Sequence, residues 1–368
     1  MELIRERLSM VPDYRHPSYI GHKLCDILII VMMAVMCGLD QLNDIVVFAR
    51  ERKDFFAKHF DISKIPSKPT FSRVLNMIQA EAVTEVMIAI MKEQAQELGN
   101  IIAFDGKAIR STSEKGKPHS ALQILTAYMV DNGLVLAQEA IHEKTNEIPV
   151  LRNMLDYVDV RGRIVTADAM HCQRDTCEKI VDSKHGGDYL LGLKENQKTL
   201  RDDVELFLND TINQEGIETY QEIEKNGGRI ERRICQKTSD VAWLSDHAWP
   251  GLKTVFSVRR IFTSKTGTTD ETGYYLTSLD TTAAELLHIS RAHWKIESMH
   301  WMLDEDFSED ECRLLSDNGQ KTLNAFRKLA LLIHRNYMAL QPKKRSIKSN
   351  LLRCLVSEHA LLELLRSL

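Results

Sequence analysis

No Cys-x-x-Cys pair occurs in this chain of 368 residues, and its seven cysteines (25, 37, 172, 177, 235, 312 and 354) are scattered and odd in number. That excludes a thiolate zinc site and a disulfide framework, and a reducing cytoplasm is the expected compartment. No apolar run exceeds the 13 residues from Ile27 to Leu39, short of the roughly 18 to 20 needed to cross a bilayer, so a buried helix is expected and no membrane partner. The opening Met1-Glu2-Leu3-Ile4-Arg5-Glu6 lacks a signal-peptide pattern. Internal repeats and low-complexity segments are absent. A strong charge of one sign is missing too, because the net charge is only -4.

That average hides an asymmetry. From Gln320 to Leu368 there are ten Lys or Arg against two Glu, which leaves the rest of the chain 12 units negative. The densest part is Lys343-Lys344-Arg345-Ser346-Ile347-Lys348. Such a cluster either meets a nucleic-acid backbone by sequence-independent attraction or is a solvated basic tail over 341–368.

At 43% hydrophobic and 27% charged, the composition is that of a globular protein, and the length suits two or three domains. Residues 1–95 read as a helical domain, with apolar helical spacing in Ile27 to Met36, Ile45 to Phe60 and Phe71 to Met91. Thr70 can cap a helix that presents Arg73 to DNA, although a plain packing domain reads equally well. From 96 to 214 the pattern changes to strands Ile101 to Phe104, Leu122 to Val130 and Leu134 to Ile141, the last two joined at Asp131-Asn132-Gly133. Helices and strands then alternate through Ile164 to Ala167 and Tyr189 to Leu193. Three antiparallel strands followed by this alternation predict a ribonuclease-H-like mixed α/β sheet flanked by helices. Residues 215–280 read as a β-rich insertion subdomain, and helices resume over 281–340.

Two strands end on a carboxylate, at Asp105 after Ile101-Ile102-Ala103-Phe104 and at Asp168 after Ile164-Val165-Thr166-Ala167. An acid just past the last buried residue of a strand is held rigidly with its oxygens toward a cleft. A third acid, Glu297, stands in Arg291-Ala292-His293-Trp294-Lys295-Ile296-Glu297-Ser298-Met299-His300-Trp301, where helical spacing puts His293, Trp294, His300 and Trp301 on the glutamate's face. Two Trp at that spacing would by themselves indicate burial in a core. Three carboxylates from distant parts of the chain suit a hard cation such as Mg2+, with Mn2+ as a substitute.

Other acids and histidines leave alternatives open. Asp168 and His171 can start a mixed His and carboxylate metal site, though no second His pair supports one, and His171 also fits a supporting role. Glu147 is either a further active-site acid or the first turn of a helix, where it complements the dipole. The acid run Asp304, Glu305, Asp306, Glu309, Asp310 and Glu311 is a solvated segment or contributes one member to the metal site.

Several pieces together resemble the DDE transposases of bacterial insertion sequences, in particular the H-repeat-associated group. They are Asp13-Tyr14-Arg15-His16, Phe104-Asp105-Gly106-Lys107, Lys144-Thr145-Asn146-Glu147-Ile148-Pro149, Thr166-Ala167-Asp168-Ala169-Met170-His171, Leu193-Lys194-Glu195-Asn196-Gln197, and Arg291 through Trp301 into Leu303-Asp304 and Phe307-Ser308-Glu309-Asp310. The resemblance implies that Asp105, Asp168 and Glu297 are the catalytic set, that the substrate is double-stranded DNA at the ends of a mobile element, and that a homodimer works on paired ends. Metal-dependent cleavage and strand transfer at one site follow, with two divalent ions clamping the scissile phosphate. Lys107, Lys194 and Arg291 are candidate cations for the phosphate charge. Many relatives carry Tyr, Arg and Lys seven before, four before and seven after the glutamate, where this chain has Ser290, His293 and Asp304. His293 or Lys295 is a candidate replacement for those DNA contacts, with Lys343, Lys344 and Arg345 as more distant ones. A catalytically silent DNA-binding descendant and a general nuclease of the same fold are the alternatives.

Overall fold

The computed structural model describes residues 2–94, 99–113, 121–141, 146–226, 228–265, 267–314, 316–343 and 345–367. Six helices come first: α1 (Glu2–Ser9), α2 (Leu24–Met36), α3 (Leu42–Glu51), α4 (Lys53–Phe60), α5 (Lys68–Met77) and α6 (Ala80–Glu93). The longest apolar run forms α2, in which every residue but Asp26 is buried. Among the described residues, no single helix is long and apolar enough to cross a membrane.

The next strands are β1 (Ile101–Ile109), β2 (Leu122–Met129) and β3 (Leu134–Ile141), followed by α7 (Glu147–Met154), β4 (Ile164–Ala167), α8 (Arg174–Val181), β5 (Asp188–Leu193) and α9 (Lys198–Asn209). β1, β2 and β3 pair antiparallel, whereas β1, β4 and β5 run parallel. The β2–β3 turn needs a left-handed residue, supplied by Gly133 at φ 73°. Parallel neighbours require a crossover, which α7 and α8 provide. The resulting order β3-β2-β1-β4-β5 is the expected ribonuclease-H-like mixed sheet.

Four more strands follow: β6 (Glu218–Asn226), β7 (Arg229–Thr238), β8 (Thr254–Ser264) and β9 (Gly267–Thr277). This β-rich stretch, read from sequence as an insertion, extends the core sheet. β9 pairs antiparallel with β5, placing Leu191 opposite Leu276, and the sheet runs on through β8, β7 and β6 to nine strands.

Helices α10 (Ala283–Ala292), α11 (Trp294–Glu305) and α12 (Asp317–Ala339) complete the centre, with α13 (Ile347–Val356) and α14 (Glu358–Arg366) after them. The 23-residue α12 is buried along most of its length and packs against α2, α5 and α6. One contiguous apolar core therefore joins the first helices to the sheet, from Ile4 to Leu365. The segment read as a basic tail is mostly these last two helices. Their apolar residues Ile347, Leu351, Leu361 and Leu364 are buried, and the Ser346 and Ser357 hydroxyls cap their N-termini. Helical spacing lies beneath the charge there, and Arg52 fastens the junction by donating to the Leu355 carbonyl at 2.7 Å.

Candidate active site

Phe104 of β1 stands opposite Ala167 of β4 in parallel register. Asp105 and Asp168 each follow that pair on adjacent strands, about 4.8 Å apart in the sheet, at the same level. Asp168 lies just past β4, whereas Asp105, expected to end its strand, lies inside β1, which runs on to Ile109 against β2. Asp168 is exposed and caps a short 3-10 turn, Ala169–His171, without a side-chain hydrogen bond. That turn is fastened to the end of β5. Asn196 donates to the Ala169 carbonyl at 2.7 Å and Gln197 to the Cys172 carbonyl at 3.0 Å.

Glu297 comes from the first turn of α11, which packs on β1. Its carboxyl is pushed above the usual glutamate range, first by partial burial and then by the negative charges of Asp105 and Asp168, with Lys194 and Arg260 easing the effect. The three acids therefore feel one another. Asp168 and Glu297 line one cavity of about 560 Å³ together with Lys194, Arg260, His293 and Trp294.

Histidines support this arrangement. His300, almost buried on α11, brings Nδ1 to 3.1 Å from Asp105 Oδ2. His293 occupies the break between α10 and α11, with Nδ1 3.1 Å from the Thr166 hydroxyl. Burial lowers its pKa and keeps it neutral at ordinary pH, although Asp105 and Asp168 pull the other way. Of the five residues expected on one helical face, Trp294, Glu297, His300 and Trp301 lie within α11, and His293 precedes it at the break. Trp294 and Trp301 are 50% and 61% exposed, so they are not core residues despite their spacing.

The candidate cations divide. Lys194 is exposed and lines the cavity beside the acids. Lys107 turns into the protein, where its ammonium binds Asp304 of α11 and Glu309, the latter at 2.8 Å. Arg291 pairs with Glu222 and Glu224 of β6. Lys295 and Arg291 line a neighbouring cavity of about 670 Å³. Lys343 and Arg345 stand in the connection from α12 to α13, and Lys344 lies outside the described residues. Of the first helices' candidates, Arg73 is exposed on α5.

Sequence reading missed a second charged centre beneath the first. Glu309 is fully buried, accepting from Lys107 and from Asn324 Nδ2 at 2.8 Å and facing Arg327 Nη1 at 3.2 Å. Arg327 in turn holds Asp40 at 2.6 Å. Burial alone would raise the Glu309 pKa, but Arg327 and Lys107 outweigh it and hold the carboxylate down at about 2. The Lys107–Asp304 pair ties the strand of Asp105 to the helix of Glu297. Of the six-member acid run, Glu309 is thus structural.

Carboxylate oxygens are the donor set a hard divalent cation takes. Two acids that add to the rise of the Glu297 carboxyl, with no side-chain cap hydrogen bond from Asp168, fit that chemistry. Among the described residues no three His, Cys, Asp or Glu side chains stand close enough to hold a metal ion as they are.

The family described as Transposase DDE domain matches residues 96–333, and the one described as DDE_Tnp_1-associated matches residues 5–91. The provisionally named transposase YncI of Escherichia coli O157:H7 is 33% identical over 97% of this chain and 94% of its own length. YhhI of Escherichia coli strain K12, provisionally named an H repeat-associated transposase, is 33% identical over 91% of this chain and 92% of its own. Among solved structures, a piggyBac transposase synaptic complex with hairpin DNA aligns over 99% of this chain and 77% of that one at 12% identity, with a TM-score of 0.45. That last likeness is too loose to carry an argument. The two family matches and the near full-length relatives agree, and the chain belongs to the DDE transposases of the H-repeat-associated type.

Proposed function

We propose that this transposase cuts DNA at the ends of an insertion sequence and joins the freed 3' hydroxyl to target DNA, with Asp105, Asp168 and Glu297 as its catalytic acids. One observation carries the reading: Asp105 and Asp168 follow residues paired in parallel register, and the Glu297 carboxyl, raised first by burial, is raised further by both, though they lie 192 and 129 positions away in the chain. Uncompensated like charges are costly, and proteins keep them where a cation or substrate supplies the missing charge. The three carboxylates would hold Mg2+, or Mn2+ in its place. When bound, such ions activate the attacking oxygen and stabilise the leaving one.

The remaining groups have roles that their chemistry suggests. Lys194 faces the phosphate charge from the wall of the cavity. Neutral His293, held by Thr166, keeps α11 in place against β4 without adding a positive charge beside the acids. His300 orients Asp105. Water attacks at the element's end first, and the released 3' hydroxyl then attacks the target at the same site, with a homodimer bringing two ends together.

The test is nicking of a DNA duplex carrying the inverted repeats that flank the coding region, with Mg2+ and with chelator. Metal-dependent cuts at the repeat ends, absent in Asp168→Ala, are expected. Equal cutting by the variant overturns the assignment of the acids. Cutting without regard to terminal sequence makes the protein a general nuclease, and end binding with no cutting under any metal makes it a DNA-binding descendant.

A further inference from the structure

The Phe104-Asp105-Gly106-Lys107 and Asn146-Glu147 stretches contain two residues that the reading above leaves without a task, Gly106 and Glu147. They meet in space. A Cβ built on Gly106 would collide with the Glu147 carboxylate, with Oε2 at 2.7 Å, so only glycine lets that carboxylate lie against β1 next to Asp105. Glu147 is the first residue of α7, whose entry is set by the Asn146 side chain accepting from the Ile148 amide at 3.1 Å. A cap and a dipole account for an acid at this position. They do not account for one lodged over a strand backbone at the centre of the sheet.

On its other side the carboxylate meets His171. The imidazole is fully buried, its Nε2 lies 3.4 Å from Glu147 Oε2, and neither ring nitrogen makes a hydrogen bond among the described residues. A buried polar ring without a hydrogen bond costs stability, so its retention calls for a reason. His171 ends the 3-10 turn that begins just after Asp168. Glu147 therefore spans from the residue after Asp105 to the turn that carries Asp168.

We infer that Glu147 and His171 are a positioning pair of the active site, which sets the separation of Asp105 and Asp168 by bridging β1 at Gly106 and the turn after β4. The inference rests on the proposed role of those two acids. Neither residue of the pair need touch DNA. Glu147 fixes the β1 side through its contact at Gly106, His171 fixes the β4 side, and shortening or displacing the link lets the two acids drift apart. A misplacement of about 1 Å costs on the order of 100-fold in rate at a site that depends on orientation.

The experiment compares wild type with Glu147→Ala, Glu147→Gln, Gly106→Ala and Asp168→Asn by two readouts, Mn2+ affinity from calorimetric titration and nicking rate on element-end DNA. Thermal melting checks that each variant is folded. Glu147→Ala and Gly106→Ala are expected to weaken Mn2+ binding and slow nicking by about 10- to 100-fold. Glu147→Gln, which keeps the length and the contact with His171, restores most of both, a rescue that a plain packing defect would not show. Wild-type Mn2+ affinity and nicking in a folded Glu147→Ala overturn the pair's role while leaving the acids' role intact. If Asp168→Asn itself binds Mn2+ and nicks like wild type, the acids lose their assignment and the pair falls with them.

Discussion

Two charged centres lie one beneath the other, built from the same residue types and managed in opposite ways. At the upper one, the Glu297 carboxyl is driven up, first by partial burial and then by the charges of Asp105 and Asp168. At the lower one, Glu309 is more deeply buried yet driven down to about 2, because Arg327 and Lys107 stand against it. Both acids are raised by burial, and the cations beside Glu309 reverse its direction. The two centres communicate through β1 and α11, since Lys107 lies two residues beyond Asp105 and its partner Asp304 lies seven beyond Glu297.

Neutralising one acid in each centre breaks this comparison most directly. Asp168→Asn or Glu297→Gln is expected to reduce nicking by about 100-fold or more, the loss seen when a single group that stabilises charge is removed. The melting temperature should hold or rise, because a repelling charge is gone. A fall of more than about 4 °C on thermal melting would move these acids to the structural class.

Glu309→Gln reverses that outcome, removing the buried carboxylate that Arg327 and Lys107 share and leaving them Asp40 and Asp304 alone, and a loss of about 3 to 5 kcal/mol in urea unfolding is expected. A loss under about 1 kcal/mol would show that water or rearrangement covers the deficit.

Lys328 sharpens the contrast through pH. Its ammonium is buried beside the Thr126 hydroxyl and the Gln138 carbonyl, both at 2.8 Å, and burial lowers its pKa from 10.5 to about 7. Between those values the unfolded chain binds more protons at this position than the folded one. Stability from this group therefore rises with pH from about 7 toward 10, by up to about 1.4 kcal/mol per pH unit. Urea midpoints at pH 7, 8 and 9 should climb more steeply for wild type than for Lys328→Met, and parallel courses would remove the effect.

The smallest change is expected from Trp294→Ala. The ring is half exposed, with the Arg260 guanidinium 4.9 Å from its centroid. Such an arrangement contributes about 0.5 to 1 kcal/mol. A loss above about 2 kcal/mol in unfolding would place the tryptophan in the packed interior after all.

What could be read from the residues in order follows the range of the forces involved. Asp105 and Asp168 were legible because each follows a short apolar run, although β1 continues past Asp105 to Ile109, and the strand order followed from a hairpin succeeded by helix and strand alternation. The Lys107–Glu309 contact spans 202 positions, and nothing local marks Glu309 among five neighbouring acids. Lys107 and Arg291 were accordingly read as free cations when each has carboxylate partners. The pairing of β9 with β5 was hidden for the same reason, since β-rich spacing reveals strands but not their distant neighbours. In 341–368 the charge drew attention from apolar residues at helical spacing. The tryptophans mislead in the other direction, because a shared helical spacing does not tell which face of α11 is covered, and theirs is the exposed one.

The unbroken sheet has a consequence for pruning this protein. Removing residues 218–277 would leave β5 as a bare border, its amides and carbonyls along Leu190 to Leu193 stripped of the partners that Tyr274 to Thr277 supply. Such a border recruits strands from other molecules. A trimmed core would then be expected to precipitate rather than simplify, unless a substitute ribbon were grafted where β9 now lies.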